Sequence, residues 1–257
     1  MDHKVIITAG ATGIGAAIAD KFLSDGAQVH IGDIDPNAIT AVSDKPGLSA
    51  SVTDVSDEAS IKQMFDDALA NMGGLTVLVN CAGIAGPTSI LENIELADWR
   101  KCLAVNLDGA FLCAKQAIPH LKEAKGGSII NISSTAGLMG YPMRSPYASS
   151  KWAIIGLTKT LAMELGPYGV RVNAICPGSV DGPRMDAVIA AESIQRGVEA
   201  EIIRDRYTAD TSMRTFITVD DIANMATFLA SPLAARVSGQ AIPVDGHTCN
   251  AGALEDI

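Results

Sequence analysis

Aromatic side chains make up only 4% of this chain, so its core cannot rest on large rings. With 24 glycines, close backbone packing is expected instead. Basic residues are also scarce. Nineteen Lys and Arg face 29 Asp and Glu, a net charge of −10. That balance argues against nucleic acid, which selects a basic face, and against an anionic membrane surface. No apolar run is long enough to span a bilayer, and no cationic-then-apolar segment opens the sequence. The five cysteines form no C-x-x-C and are odd in number, so a reduced, cytoplasmic setting is expected rather than a disulfide framework. His3, His30, His120 and His247 are scattered without ligand spacing, and no metal site is expected.

What is present is an order. The β-branched run Val5-Ile6-Ile7 leads into Thr8-Ala9-Gly10-Ala11-Thr12-Gly13-Ile14-Gly15, and a helix is expected over about 14–25. Strand, glycine turn and helix N-terminus form a phosphate cradle, although a glycine turn can also be a plain tight connection. A second strand over about 28–31 ends at Gly32-Asp33. An acid there can accept hydrogen bonds from an adenosine ribose and would repel a 2′-phosphate. With no Arg or Lys in the glycine turn or just after Asp33, NAD is favoured over NADP. Further strands are expected at 48–52, 76–79, 128–132, 170–176 and 241–244, with an amphipathic helix after the third and a long helix over about 97–125. Thr218 to Asp221 reads as a helix cap.

Repeated strand–helix alternation predicts one α/β domain over 1–257. It is a single doubly wound parallel sheet of about seven strands, a Rossmann fold with helices on both faces. Ligands of such sheets lie at the carboxyl ends of the strands. Asp33, Asp54, Asn80, Ser134 and Pro177-Gly178 all fall at expected strand ends.

Tyr147 and Lys151 are four residues apart, hence on one helix face. An ammonium beside a phenol favours phenolate and makes it a usable acid or base near neutral pH. Ser145 is expected to cap this helix and Pro146 to occupy its first position. Alone, the pair could be a chance surface arrangement.

Together these segments resemble the short-chain dehydrogenase/reductase family. The resemblance runs from Thr8 to about Gly246. It is carried by the glycine turn, Asp54-Val55, Asn80-Cys81-Ala82-Gly83, Val105-Asn106, Ile132-Ser133-Ser134, Tyr147-x-x-x-Lys151, Pro177-Gly178 and Val244-Asp245-Gly246. It implies an NAD-dependent enzyme interconverting a secondary alcohol and a ketone, with Tyr147 as acid/base, Ser134 bonding the reacting oxygen, and Lys151 holding the nicotinamide ribose and tuning Tyr147. Asn106 would complete a water-borne proton relay. Gly10, Thr12, Gly13, Ile14 and Gly15 would line the pyrophosphate, Asp33 the adenosine ribose, and Asp54 and Val55 the adenine. Asn80, Ala82, Gly83, Pro177, Gly178 and Val180 would complete the cofactor site. A homotetramer or homodimer built on the helices bearing Asn106 and Lys151 is also implied. Against the family pattern, His247 stands for a glycine, Gly182 for a threonine and Cys81 for an asparagine.

The substrate is a small molecule. The 179–217 segment is expected to be a lid. Arg144 or Arg214 is the candidate partner for an anionic substrate group, against a reading in which the lid arginines are merely solvated. Leu138, Met139 and Met143 could form an apolar wall or equally fill the core. A 3-oxoacyl-thioester reductase is the alternative activity, and a non-catalytic NAD-binding scaffold or sensor the remote one.

Overall fold

The computed structural model describes residues 3–249. Its strands are β1 (Lys4–Thr8), β2 (Gln28–Asp33), β3 (Leu48–Val52), β4 (Val77–Asn80), β5 (Gly127–Ile132), β6 (Val170–Pro177) and β7 (Ala241–Val244). They form one parallel sheet in the order β3-β2-β1-β4-β5-β6-β7. The chain builds outward from β1 to β3, then returns to place β4 on the other side of β1. Strand direction therefore opens a crevice at the carboxyl ends of β1 and β4.

The helices are α1 (Gly13–Ser24), α2 (Pro36–Val42), α3 (Glu58–Met72), α4 (Leu96–Leu103), α5 (Gly109–Glu123), α6 (Ser145–Leu165), α7 (Pro183–Arg196), α8 (Ala200–Ala209) and α9 (Val219–Ala230). Alternation along the strands feeds two cores. Val5 and Ile7 of β1 join Ile18 and Phe22 of α1 and Ile222 and Leu229 of α9. Ile6 faces the other way, with Ile61 and Phe65 of α3, Leu121 of α5 and Leu161 and Leu165 of α6. Full burial of each such side chain contributes roughly 1.5–3 kcal/mol. Every strand of the centre is thus apolar on both faces, which is why the runs look continuous rather than alternating. Among the described residues no helix is long and apolar enough to cross a membrane.

Three local expectations need amendment. The long helix is interrupted: α4 passes through a π-helical turn, Ala104–Asp108, before α5. Such a turn widens the backbone spiral and re-aims one side chain, here Asn106. Ser145 does not cap α6. It is the first helical residue, Pro146 the second, and Arg144 occupies the cap position without a side-chain cap bond. The 179–217 segment folds into α7 and α8 around Met185, Ile189 and Ile203, its own small core. The Val180–Ile217 bridge closes its base. The predicted cap of α9 is present in full: Thr218 and Asp221 bond each other's backbone N–H reciprocally.

Candidate active site

The glycines of the first turn serve different physical needs. A Cβ on Gly15 would lie 2.0 Å from the Ala9 carbonyl oxygen, and one on Gly10 2.5 Å from Ile31. Those two let α1 pack down on the strands. Gly13 has φ +53° with open space where a Cβ would stand, so this is the position that leaves room over the helix N-terminus. Asp33, at the end of β2 and 8% exposed, accepts from the Ala11 N–H at 3.1 Å and the Asp35 N–H at 3.2 Å. Its carboxylate is therefore fixed beside the glycine turn. An adenosine diphosphate moiety fits this cradle: open backbone at Gly13 and an oriented carboxylate one strand away. Asp54 accepts from the backbone N–H and hydroxyl of Ser56, and Val55 packs against Gly109 of α5.

β4 ends in a polar cluster. Thr8 Oγ1 accepts from the N–H groups of Cys81 and Ala82, both at 3.0 Å, so the end of β1 shapes the loop after β4. Asn80 donates to Asn131 Oδ1 at 2.8 Å, and Asn131 donates to Thr158 Oγ1 at 2.9 Å. This buried chain joins β4, β5 and α6. In the π-turn, Asn106 is 2% exposed and clamps Ile84, accepting from its N–H at 2.7 Å and donating to its carbonyl at 3.1 Å. It also donates to Ser150 Oγ at 3.0 Å. A Cβ on Gly83 would meet both Asn106 Oδ1, at 3.2 Å, and Lys151 Nζ, at 3.4 Å. Gly83 is what lets the amide and the ammonium share one place.

α6 carries Tyr147 and Lys151. Lys151 is 3% exposed and its Nζ donates to the Ile132 carbonyl at 2.8 Å. Nζ lies 5.6 Å from the Tyr147 ring centroid. Ser134 lies near enough to Tyr147 to act on its phenol, and Ser134 Oγ itself accepts from the Ala136 N–H at 3.1 Å. Burial alone would push the Tyr147 phenol up. Lys151, Arg184, the Ser134 hydroxyl and Arg144 together outweigh burial and hold it below its ordinary value. Lys151 is itself held down, by burial first and with Arg184 adding to it, while phenolate character on Tyr147 opposes. A phenol held below its ordinary pKa, beside a hydroxyl and backed by an ammonium, can exchange a proton with an alcohol oxygen.

Asn106, Ser134, Tyr147 and Lys151 thus converge. Pro177 ends β6 and Gly178 follows, where a Cβ would strike Asp245 at 2.8 Å, and Val180 bridges Ile217 at the base of the α7–α8 segment. Arg144 is buried beside Tyr147, with its guanidinium carbon 5.5 Å from that ring. Arg214 is not so placed: it is exposed, and its guanidinium donates to the Ala209 carbonyl at the end of α8. His247, at φ +63°, bonds Ser212 Oγ through Nδ1 at 2.7 Å, tying the segment after α8 to the chain after β7. Leu138, Met139 and Met143 are half-buried.

Sequence reasoning passed over Arg184, although it acts on Tyr147 and Lys151 from the first turn of α7. It also passed over the supports. Ser133 Oγ donates to the Lys151 carbonyl at 2.9 Å, and Ser150 Oγ to the Tyr147 carbonyl at 2.7 Å. The Ser133-Ser134 and Ser149-Ser150 pairs were the signal available, since hydroxyls in apolar surroundings require partners.

The sequence model of the family described as Enoyl-(Acyl carrier protein) reductase matches residues 8–247. The D-beta-hydroxybutyrate dehydrogenase of Rhizobium meliloti is 35% identical over 254 residues, covering 96% of this chain and 98% of its own. The 2-(S)-hydroxypropyl-CoM dehydrogenase 3 of Xanthobacter autotrophicus is 37% identical over 250 residues, covering 95% and 96%. A Brucella melitensis 3-ketoacyl-(acyl-carrier-protein) reductase solved with NADH superposes with TM-score 0.87 at 29% identity, over 97% of this chain and 99% of that one. This chain belongs to the short-chain dehydrogenase/reductase family. As a member of the short-chain dehydrogenase/reductases it is an oxidoreductase of the short-chain alcohol dehydrogenase type, acting on secondary alcohols and ketones.

Proposed function

We propose that this oxidoreductase uses NAD rather than NADP to oxidise a small secondary alcohol, with Tyr147 as the acid/base. The observation that carries the reading is the convergence of Tyr147, Lys151, Ser134 and Asn106 at the carboxyl ends of β4 and β5. A bound nicotinamide ring would supply hydride acceptance or donation. The chain's own residues do the rest. Tyr147 takes the carbinol proton in oxidation and returns it in reduction. Ser134 holds the reacting oxygen against Tyr147. Lys151 stabilises phenolate character and holds the ribose hydroxyls. Asn106 keeps the loop at Ile84 open beside Lys151, where a water would link the ammonium to solvent. Holding these groups in register lowers the barrier by orientation and by charge placed in advance.

Asp33 supports the NAD preference. Its buried carboxylate accepts from Ala11 and Asp35, and a 2′-phosphate brought to it would meet an unscreened negative charge. Gly10, Thr12, Gly13, Ile14 and Gly15 would hold the pyrophosphate. Asp54 and Val55 would line the adenine, and Asn80, Ala82, Gly83, Pro177, Gly178 and Val180 the nicotinamide half. Relatives named for hydroxybutyrate, hydroxycyclohexanecarboxylate and butanediol support a small hydroxylated substrate. The five cysteines are free thiols, which supports a reducing, cytoplasmic compartment. Phe111 of α5 and Trp152 and Met163 of α6 are exposed, which supports a homotetramer or homodimer built on those helices.

The test is reduced-cofactor formation by absorbance with a panel of secondary alcohols, each with NAD and with NADP. NAD should give the higher kcat/KM by about 100-fold, the range expected of one well-placed charge. Equal or better use of NADP would overturn the Asp33 reading and favour the 3-oxoacyl-thioester reductase.

A further inference from the structure

We propose that Arg144 is the recognition residue for an anionic group, a carboxylate or sulfonate, carried by the substrate a few bonds from its carbinol carbon. This rests on the proposed reaction at Tyr147 and names its substrate class.

The argument begins with burial. Arg144 is 6% exposed, yet no carboxylate lies within ion-pair distance among the described residues. Its one hydrogen bond is from Nη1 to a neutral hydroxyl, Thr88 Oγ1, at 3.0 Å. Its Nε is buried without any partner. A guanidinium cannot discharge by losing its proton, so a buried one without a carboxylate partner destabilises the fold. Three other arginines have carboxylate or carbonyl neighbours. Arg196 faces Glu192, Arg204 reaches both Asp181 and Asp186, and Arg171 binds the carbonyls at the end of α9.

The position of Arg144 is built, not incidental. Met143 stands at φ +61°, a left-handed conformation rare for a methionine, and this kink turns the chain just before Arg144. The Ser89 N–H bonds the Met143 carbonyl at 2.9 Å, and Thr88, next to Ser89, holds the guanidinium. Two loops are thus zipped together around this one side chain. With Nη1 committed to Thr88, the edge bearing Nε is left for a ligand, and a guanidinium edge matches the two oxygens of a carboxylate or sulfonate.

The guanidinium carbon lies 5.5 Å from the Tyr147 ring centroid. An oxygen bonded to Tyr147 and an anion bonded to Arg144 therefore belong to one compact molecule. A short hydroxy acid or hydroxy sulfonate spans the two; a long acyl chain carrying its charge at the far end does not. Arg144, Arg184 and Lys151 all act on Tyr147, so the site is locally cationic in a protein of net charge −10. That field draws an anion toward Arg144.

The test measures binding and turnover separately on the full chain with NAD bound. Butyrate, propanesulfonate and the neutral butyramide are titrated calorimetrically into wild type, Tyr147→Phe, Arg144→Lys and Arg144→Met. Wild type and Tyr147→Phe should bind the two anions at least about 10-fold more tightly than the amide, the value of one charge-assisted pair. Arg144→Met should erase that ratio and Arg144→Lys should keep part of it, since a point charge replaces the fork. In turnover, the kcat/KM ratio of 3-hydroxybutyrate to 2-butanol should fall by about 100-fold in Arg144→Met. Equal binding of amide and anions by wild type overturns the proposal, and so does a ratio unchanged in Arg144→Met. If Arg144→Met does not fold, Arg144→Lys and the wild-type ratio decide. An enzyme that turns over no alcohol would overturn the proposed reaction, while the anion titration still decides the role of Arg144.

Discussion

The ammonium of Lys151 donates to the Ile132 carbonyl at 2.8 Å and stands 5.6 Å from the centroid of the Tyr147 ring. The end of β5 therefore aims the lysine, and the lysine sets the phenol. Burial pushes Tyr147 up; Lys151 is the first of the groups that bring it down. Oxidation needs phenolate, so its rate rises with pH and levels off above the lowered pKa. Reduction needs phenol and falls through the same pKa. Lys151→Met should move both profiles to higher pH and reduce kcat/KM near neutrality by about 100-fold or more. Tyr147→Phe should abolish the titration as well as the rate. A Lys151→Met profile that coincides with wild type would refute this coupling.

Arg184 acts on the same phenol from the exposed start of α7. Asp181 and Asp186, close to it in sequence, are both reached by Arg204. Arg184→Gln should shift the oxidation profile to higher pH, by less than Lys151→Met does. The shift should shrink as salt rises, since an exposed charge is screened over about 10 Å at 0.1 M. A salt-independent shift would point to a change of structure instead of a change of field.

The frame was legible because apolar strand runs and strand-end polar residues are separated by regular helices. Asp33, Asn80, Ser134 and Tyr147 stand where that reading put them. What escaped depends on contacts between distant segments. Nothing near Asn106 signals a π-turn, because the turn follows from the clamp on Ile84 and Ser150. Ser145-Pro146 resembles a cap and first position, but the Met143 kink starts the helix one residue early. Two arginines were candidates by sequence, Arg144 the nearer of them to Tyr147 along the chain. Only the fold buries Arg144 beside Tyr147 and leaves Arg214 on the Ala209 carbonyl.

Gly15 is the tightest point of the glycine turn after β1. An added Cβ would stand 2.0 Å from the Ala9 carbonyl oxygen, and the obstacle is backbone, which cannot rotate away. Gly15→Ala should push α1 off β1, lower Tm and weaken NAD binding by calorimetry. The effect should exceed the roughly 1–3 kcal/mol of ordinary core overpacking. Gly13→Ala meets no atom, and its φ of +53° costs about 1 kcal/mol for a residue with a Cβ. The order of damage, Gly15 above Gly13, is the discriminating outcome.

His30 is fully buried on β2, with Nδ1 2.8 Å from Ser49 Oγ and Nε2 3.1 Å from Ser51 Oγ. Ser51 in turn donates to Asp67 at 2.7 Å. Burial brings the imidazole from its ordinary 6.5 down to about 4, with the Asp67 charge pulling weakly the other way. The folded chain thus refuses a proton that the unfolded chain accepts. Above 6.5 the ring is neutral in both states and contributes no pH dependence. As pH falls from 6.5 toward 4, stability is lost, and below 4 the loss levels off because both states are protonated. The full loss is about 3 kcal/mol, the free energy of holding the ring neutral across that pH interval. Asp67, whose carboxyl is held down by hydrogen bonds from Ser51 and Gln63, adds a loss of the same sign at lower pH. His30→Gln keeps an amide able to bond a serine hydroxyl and removes the titration. Urea midpoints across this range should fall for wild type and stay level for His30→Gln until the carboxylates begin to protonate; parallel curves would remove His30 from the acid sensitivity of the fold.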